Sequence, residues 1–195
     1  MVQTPVKVMT LAEFLFLPET KPASEYIDGH IIQKPMPQGK HSLIQSELGS
    51  NINAAFKPQR LVRAFTELRC SFGDQSIVPD LVVMNKDRIP RDQNGDIANV
   101  FSFGSAVPEG IAPDWTIEIL SPDQSNAKVT KNILHCLQHG TQMGWLIDPA
   151  DQSVFVYAPD RVTQVFDESI DLLPVPEFAK DFQLTLGDLF GWLSE

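Results

Sequence analysis

Residues 113–149, PDWTIEILSPDQSNAKVTKNILHCLQHGTQMGWLIDP, constrain the fold more than any other stretch of the chain. The pattern is a buried strand, a polar turn, an amphipathic helix and a second buried strand. Val129, Ile133, Leu134 and Leu137 recur on one side of the helix, and Gly140 follows as its terminator. Residues 115–120 are apolar and β-branched except for one acid, Glu118. A carboxylate inside such a strand is costly to bury unless it is paired or holds a cation.

The chain before this stretch is punctuated clearly. Thr10-Leu11-Ala12-Glu13 fits a capping box and predicts a short helix over 10–17, ended by Pro18. The run EYIDGHII predicts a hairpin, because Asp28-Gly29 supplies the positive φ angles of a two-residue turn. After the turn-rich KPMPQGK, residues 41–56 carry a helical stripe of Ile44, Leu48, Ile52, Ala55 and Phe56, with Pro58 beyond. Residues 61–72 alternate like a half-buried strand, and SIVPDLVVM (76–84) reads as a second buried strand with Asp80 at its middle. Residues 85–112 have no periodicity, the mark of a functional loop or insertion. Beyond Pro149, residues 154–157 and 162–166 predict a meander hairpin. Residues 167–181 read as loop, and Thr185-Leu186-Gly187-Asp188 as the cap of a final short helix.

With 195 residues, 43% of them apolar and 21% charged, the chain suits one core and one domain. No apolar run approaches a membrane span, and MVQTPVKVMT lacks the features of a secretory signal. Cys70 and Cys136 match no metal or redox spacing, so they are expected as small buried hydrophobes in a reducing cytoplasm. The net charge of −10 argues against a sequence-independent nucleic-acid binder of high affinity. That charge is unevenly spread: residues 1–73 hold 8 Lys+Arg against 6 Asp+Glu, and residues 74–195 hold 7 against 19. A basic surface would therefore draw mainly on Lys34, Lys40, Lys57, Arg60, Arg63 and Arg69, unless these are ordinary solvated charges.

Asp80 and Glu118 share one peculiarity: each is a lone carboxylate in an otherwise apolar strand. Two adjacent strands could bring both to one face, where Mg²⁺ would compensate them with few protein ligands. Such a cation polarises a phosphoryl oxygen and activates water, as phosphodiester hydrolysis requires. The alternative is that each sits solvated at a strand end. Lys128 and Lys131, on the helix after Glu118, are candidates for a supporting cation, against a default of surface solvation. His135 and His139 have a zinc-compatible spacing but no third ligand, and His41 stands at a helix start after a glycine-containing loop. The chain has no phosphate-binding loop of Walker type, no dinucleotide fingerprint and no nucleophile elbow.

The ordered series EYIDGHI, a helix beginning at a histidine, VPDLVVM, APDWTIEILSP, a helix ending in HG, WLIDP and VFVY resembles the Uma-type restriction endonucleases. That bacterial group was first defined as a domain of unknown function and is placed in the PD-(D/E)XK nuclease superfamily. The resemblance covers about residues 8–193. It implies an α/β (α+β) restriction-endonuclease-like core, a mixed central sheet flanked by helices. It further implies a Mg²⁺- or Mn²⁺-dependent endonuclease acting on DNA, active as a homodimer. By that resemblance Pro79-Asp80 is the PD element, Glu118 is the D/E position, and Glu25 is a further site carboxylate. The lysine of the plain motif would stand at position 120, which is Leu120. The alternative helical lysine would fall at Asn132 by its spacing from Gly140, with Lys131 one residue earlier and about 100° around the helix. Asp80, Glu118, Lys131 and Glu25 are thus the expected catalytic residues, and Asp80 and Glu118 the metal ligands. The alternative is a degraded fold that binds nucleic acid or protein without cleaving.

Overall fold

The computed structural model describes residues 9–98, 110–122 and 124–194. The first helix, α1 (Leu11–Leu15), starts at the Thr10–Glu13 capping box expected from the sequence. Strands β1 (Ser24–Ile27) and β2 (His30–Gln33) form the hairpin, with Asp28 and Gly29 both at positive φ. Helix α2 (Gly39–Phe56) follows and buries Ile44, Leu48, Ile52 and Phe56.

The next two expected strands are each two. The stretch over 61–72 divides into β3 (Val62–Thr66) and β4 (Cys70–Phe72), and 76–84 into β5 (Gln75–Ile77) and β6 (Leu81–Asn85). The breaks have local causes. Glu67 takes a positive φ, and Pro79 has no N–H to give to a ladder. At each break the chain passes between two sheets, a small one in the order β2-β1-β5-β4 and a six-stranded one.

The remaining strands are β7 (Trp115–Ile119), β8 (Met143–Asp148), β9 (Ser153–Tyr157) and β10 (Gln164–Phe166). The large sheet has the order β10-β9-β8-β7-β6-β3. Only the β7–β8 pair in it is parallel, bridged by α3 (Asn126–Gln138). This mixed sheet with helices is the α/β architecture that the sequence implied. A 3-10 turn (Lys86–Arg88) and an isolated bridge between Arg91 and Ile97 give part of the 85–112 segment structure; residues 99–109 of that expected loop lie outside the described residues.

Alternation along the strands divides the core. Leu81, Val83, Trp115, Ile117, Ile119, Trp145 and Ile147 face α2 and the C-terminal helix α4 (Leu186–Gly191). Val82 and Met84 face the small sheet with Cys70, Ile77 and Cys136, while Leu146 meets Ile133 and Val129 of α3. Both cysteines are free and buried.

Helix α3 can approach β8 this closely because position 144 is glycine. A Cβ there would collide with Ile133 and crowd Thr116. Gly144→Ala should therefore push α3 off the sheet and destabilise the protein by about 1–3 kcal/mol. Thermal unfolding checks this; a melting temperature equal to that of the parent would contradict the packing account.

Candidate active site

In the β6–β7 ladder, Leu81 stands opposite Ile117, Val82 opposite Thr116 and Val83 opposite Trp115. Continuing that register by one residue sets Asp80 opposite Glu118, both on the face that carries Val82 and Thr116. The Ile119 N–H donates to Asp80 Oδ2 at 2.7 Å, and the Asp80 backbone hydrogen-bonds the Glu118 carboxylate. The two acids are buried, each 2% exposed.

The hairpin supplies the charge that meets them. Lys34 follows β2, its N–H extending the ladder to the Ala23 carbonyl. Its Nζ lies 2.7 Å from Asp80 Oδ1 and 3.6 Å from Glu118 Oε2, and it donates to the Val78 carbonyl at 2.7 Å. From the first turn of α2, His41 Nε2 comes within 3.0 Å of Asp80 Oδ2, and one turn on, Gln45 donates to the Asp80 carbonyl at 2.8 Å. The His41 Nδ1 atom is buried without a hydrogen-bond partner among the described residues. Glu25 on β1 accepts from the Val78 N–H at 2.8 Å and from Asn132 Nδ2 at 3.3 Å. Backbone groups freed by the break around Pro79 are thus satisfied by Glu25, Lys34 and Gln45.

Three buried carboxylates therefore surround one ammonium. Burial works hardest against ionised Asp80, yet Lys34 and His41 outweigh it and hold its pKa down at about 2. Burial raises Glu118 well above the ordinary carboxylate range; Lys34 counters this, while Asp80 and Glu25 push the same way as burial. Glu25 is raised for the same leading reason. Lys34 is itself opposed by burial, but the three acids hold it firmly protonated.

Among the described residues no three His, Cys, Asp or Glu side chains form a preassembled metal cage. The donor set still suits a hard cation. Asp80 Oδ1 and Glu118 Oε2 face a single positively charged atom, and Mg²⁺ needs only one or two carboxylates beside its waters. The site is approached from the Asp80 and Lys34 side, Glu118 lying behind them. A cleft of about 440 Å³ reaches Asp80, Lys34, His41 and Ser121, and a second, of about 290 Å³, is lined by Glu25, Lys34, Lys128 and Asn132.

Of the residues expected from the sequence, Asp80, Glu118 and Glu25 come together around Lys34. Lys131 does not join them. It is exposed on α3, and its neighbour Asn132 is the one that turns inward to Glu25. One residue along a helix is a rotation of about 100°, which separates the two positions. His135 and His139 stack near Phe72, and both bond backbone carbonyls. Lys34 and Gln45 were missed as site residues. The available signal for Lys34 was its place directly after the strand that pairs with the Glu25 strand.

Comparison with known proteins agrees with this architecture. The Uma2 family, described as "Putative restriction endonuclease", matches residues 11–187. A crystal structure of a "putative nuclease belonging to DUF820" from Anabaena variabilis ATCC 29413 superposes with a TM-score of 0.89. Its sequence is 66% identical, over 95% of this chain and 99% of that one. No curated protein matches.

The two central acids should respond oppositely to removal of charge. A carboxyl whose pKa is raised by folding contributes stability in its protonated form, and that stability is lost as pH rises through the folded pKa. Metal-free Glu118→Gln should therefore be more stable than the parent at pH 7–8, by about 1 kcal/mol, with the gap closing toward pH 4.5. Asp80, with a depressed pKa, contributes stability above its unfolded value that disappears only as pH falls through about 2. Asp80→Asn should cost about 3 kcal/mol at neutral pH. Thermal melts of both variants across pH 4–8 check these signs; a shift in the same direction for both would contradict them.

Proposed function

Because this chain belongs to the Uma2 family, we propose that it is an endonuclease that hydrolyses DNA phosphodiester bonds with a divalent cation, Mg²⁺ or Mn²⁺, held by Asp80 and Glu118. The observation that carries this reading is the convergence of two buried carboxylates on one cationic point, Lys34 Nζ, with Asp80 and Lys34 at the wall of an open cleft. When bound, the cation polarises the phosphoryl oxygen and makes its water acidic enough to attack at neutral pH. The chain's own residues prepare the site for that chemistry. His41 and the Ile119 N–H fix the Asp80 carboxylate, so that no reorientation is needed at the moment of reaction. Lys34, rather than Lys131, is the ammonium within reach of the reacting phosphate, where it stabilises the developing negative charge. Glu25 is a positioning residue, holding Val78 next to Asp80 and Asn132 on α3. Cutting both strands of a duplex needs two such sites, which a homodimer supplies.

One observation favours a second reading. The Lys34 ammonium already occupies the space between the carboxylates, as a closed ion network in a non-cleaving nucleic-acid-binding protein would have it.

Nicking of supercoiled plasmid separates the two. The nuclease reading expects cleavage that requires Mg²⁺ or Mn²⁺ and falls about 10²–10³-fold in Asp80→Ala, Glu118→Ala and Lys34→Ala. Lys131→Ala should cleave like the parent. Salt-sensitive DNA binding with no nicking in either metal would overturn that reading in favour of the second.

A further inference from the structure

A cleft of about 730 Å³ at the far end of α2 is lined by Lys57, Arg60, Arg63, Lys86 and Arg91, over a floor of Phe56, Val62 and Ile89. Among the described residues no acid lines it, in a chain whose net charge is −10. The five cations come from four places: the end of α2 and the turn after it, the edge strand β3, the 3-10 turn after β6, and the loop that follows. All five are exposed, and among the described residues none forms a salt bridge. By contrast Arg69 and Lys34, equally basic in the sequence, are each tied to acids.

The dipole at the C-terminus of α2 favours cations and accounts for Lys57 and Arg60. It does not account for Arg63, Lys86 and Arg91, which converge there from other elements. Five cations with no acidic partner among the described residues, Arg91 bonding only the Gly95 carbonyl, repel one another around one concavity and present a positive potential that an anion would compensate. No described acid of the adjoining loop lines the cleft; Asp92, for one, accepts from the N–H groups of Asn94 and Asp96 in its own turn.

We infer that this basic cleft binds the sugar–phosphate backbone of the nucleic acid at a point remote from the position that is cut. The inference rests on the nucleic-acid reading of the carboxylate site. His41 stands in the first turn of α2 and Phe56 at its end, so the cleft lies about 22 Å from Asp80 along the helix. With one phosphate per strand for about every 3.4 Å of duplex axis, that interval corresponds to six or seven base pairs. The β3–β6 pair runs the same way. Thr66 and Leu81 are at the carboxylate end, Val62 and Asn85 are at the cleft, and β3 is the open edge of its sheet. Nucleic acid is favoured over an acidic protein because exposed cations from several elements suit the phosphates of a backbone, while the floor residues Phe56, Val62 and Ile89 are buried and expose almost no apolar area to a protein partner.

The test is fluorescence anisotropy of a labelled 30-base-pair duplex with the full chain in EDTA, between 50 and 300 mM NaCl, with polyglutamate as competitor. The double variant Lys57→Ala/Arg63→Ala should bind at least about fivefold more weakly, with its log–log salt slope smaller by about 2. Arg63→Lys should bind like the parent. Lys180→Ala, which removes an exposed cation outside the cleft, should keep the full slope, and failure of the plasmid assay to show nicking leaves these expectations unchanged. Equal affinity and slope in parent and double variant would overturn the inference. So would a parent that binds no duplex at 50 mM salt, or polyglutamate that displaces it at equal charge concentration.

Discussion

Lys34 Nζ stands between Asp80 and Glu118, and much of the structure depends on what that one ammonium does. Three carboxylates within the protein would be prohibitive to desolvate together without a cation among them. The lysine comes from the end of the hairpin, the acids from β1, the residue before β6, and β7, and a further partner of Asp80 from the first turn of α2. The ion network therefore fastens the small sheet, the large sheet and α2 at a single point. It also stores a conflict. Glu118 remains reluctant to ionise even with Lys34 beside it, because burial and two other acids oppose its charge. A site in that condition gains from a second cation, and this links its strain to its proposed chemistry.

The fold presents the network without waste. Breaking one continuous apolar run at Pro79 sends the chain from the small sheet to the large one and leaves Asp80 at the corner, opposite Glu118. The parallel β7–β8 pair with α3 across it, close-packed through Gly144, then directs Asn132 toward Glu25. At the other end of α2 the same scaffold gathers cations in place of acids. A chain with a strongly negative average charge thus gathers five cations around a cleft at a helix-length distance from its carboxylates.

Much of this was legible in the sequence, for identifiable reasons. Asp28-Gly29, the Thr10 and Thr185 caps and the stripe on α2 are local signals, and the structure carries them except at Ala55, which the stripe included and which is exposed. Asp80 and Glu118 stood out because a charge interrupting an apolar strand is conspicuous in any register. The split of two strands into four was not legible, since alternation records which face a residue takes and not which sheet it joins. Lys34 was hidden because a lysine in a proline- and glycine-rich segment looks like a solvated loop charge. Its partners are 46 and 84 positions away in the chain. Lys131 was attractive for its charge, but helical phase decides the matter, and the phase belongs to Asn132.

The central claim is that Asp80 and Glu118 together bind a divalent cation in the space that Lys34 now commands. Anomalous diffraction from crystals soaked in Mn²⁺ tests it most directly. The account predicts a peak about 2.1 Å from an oxygen of each carboxylate, with Lys34 moved away from between them. Crystals in millimolar Mn²⁺ that show no peak there, and Lys34 still bridging the two acids, would contradict it.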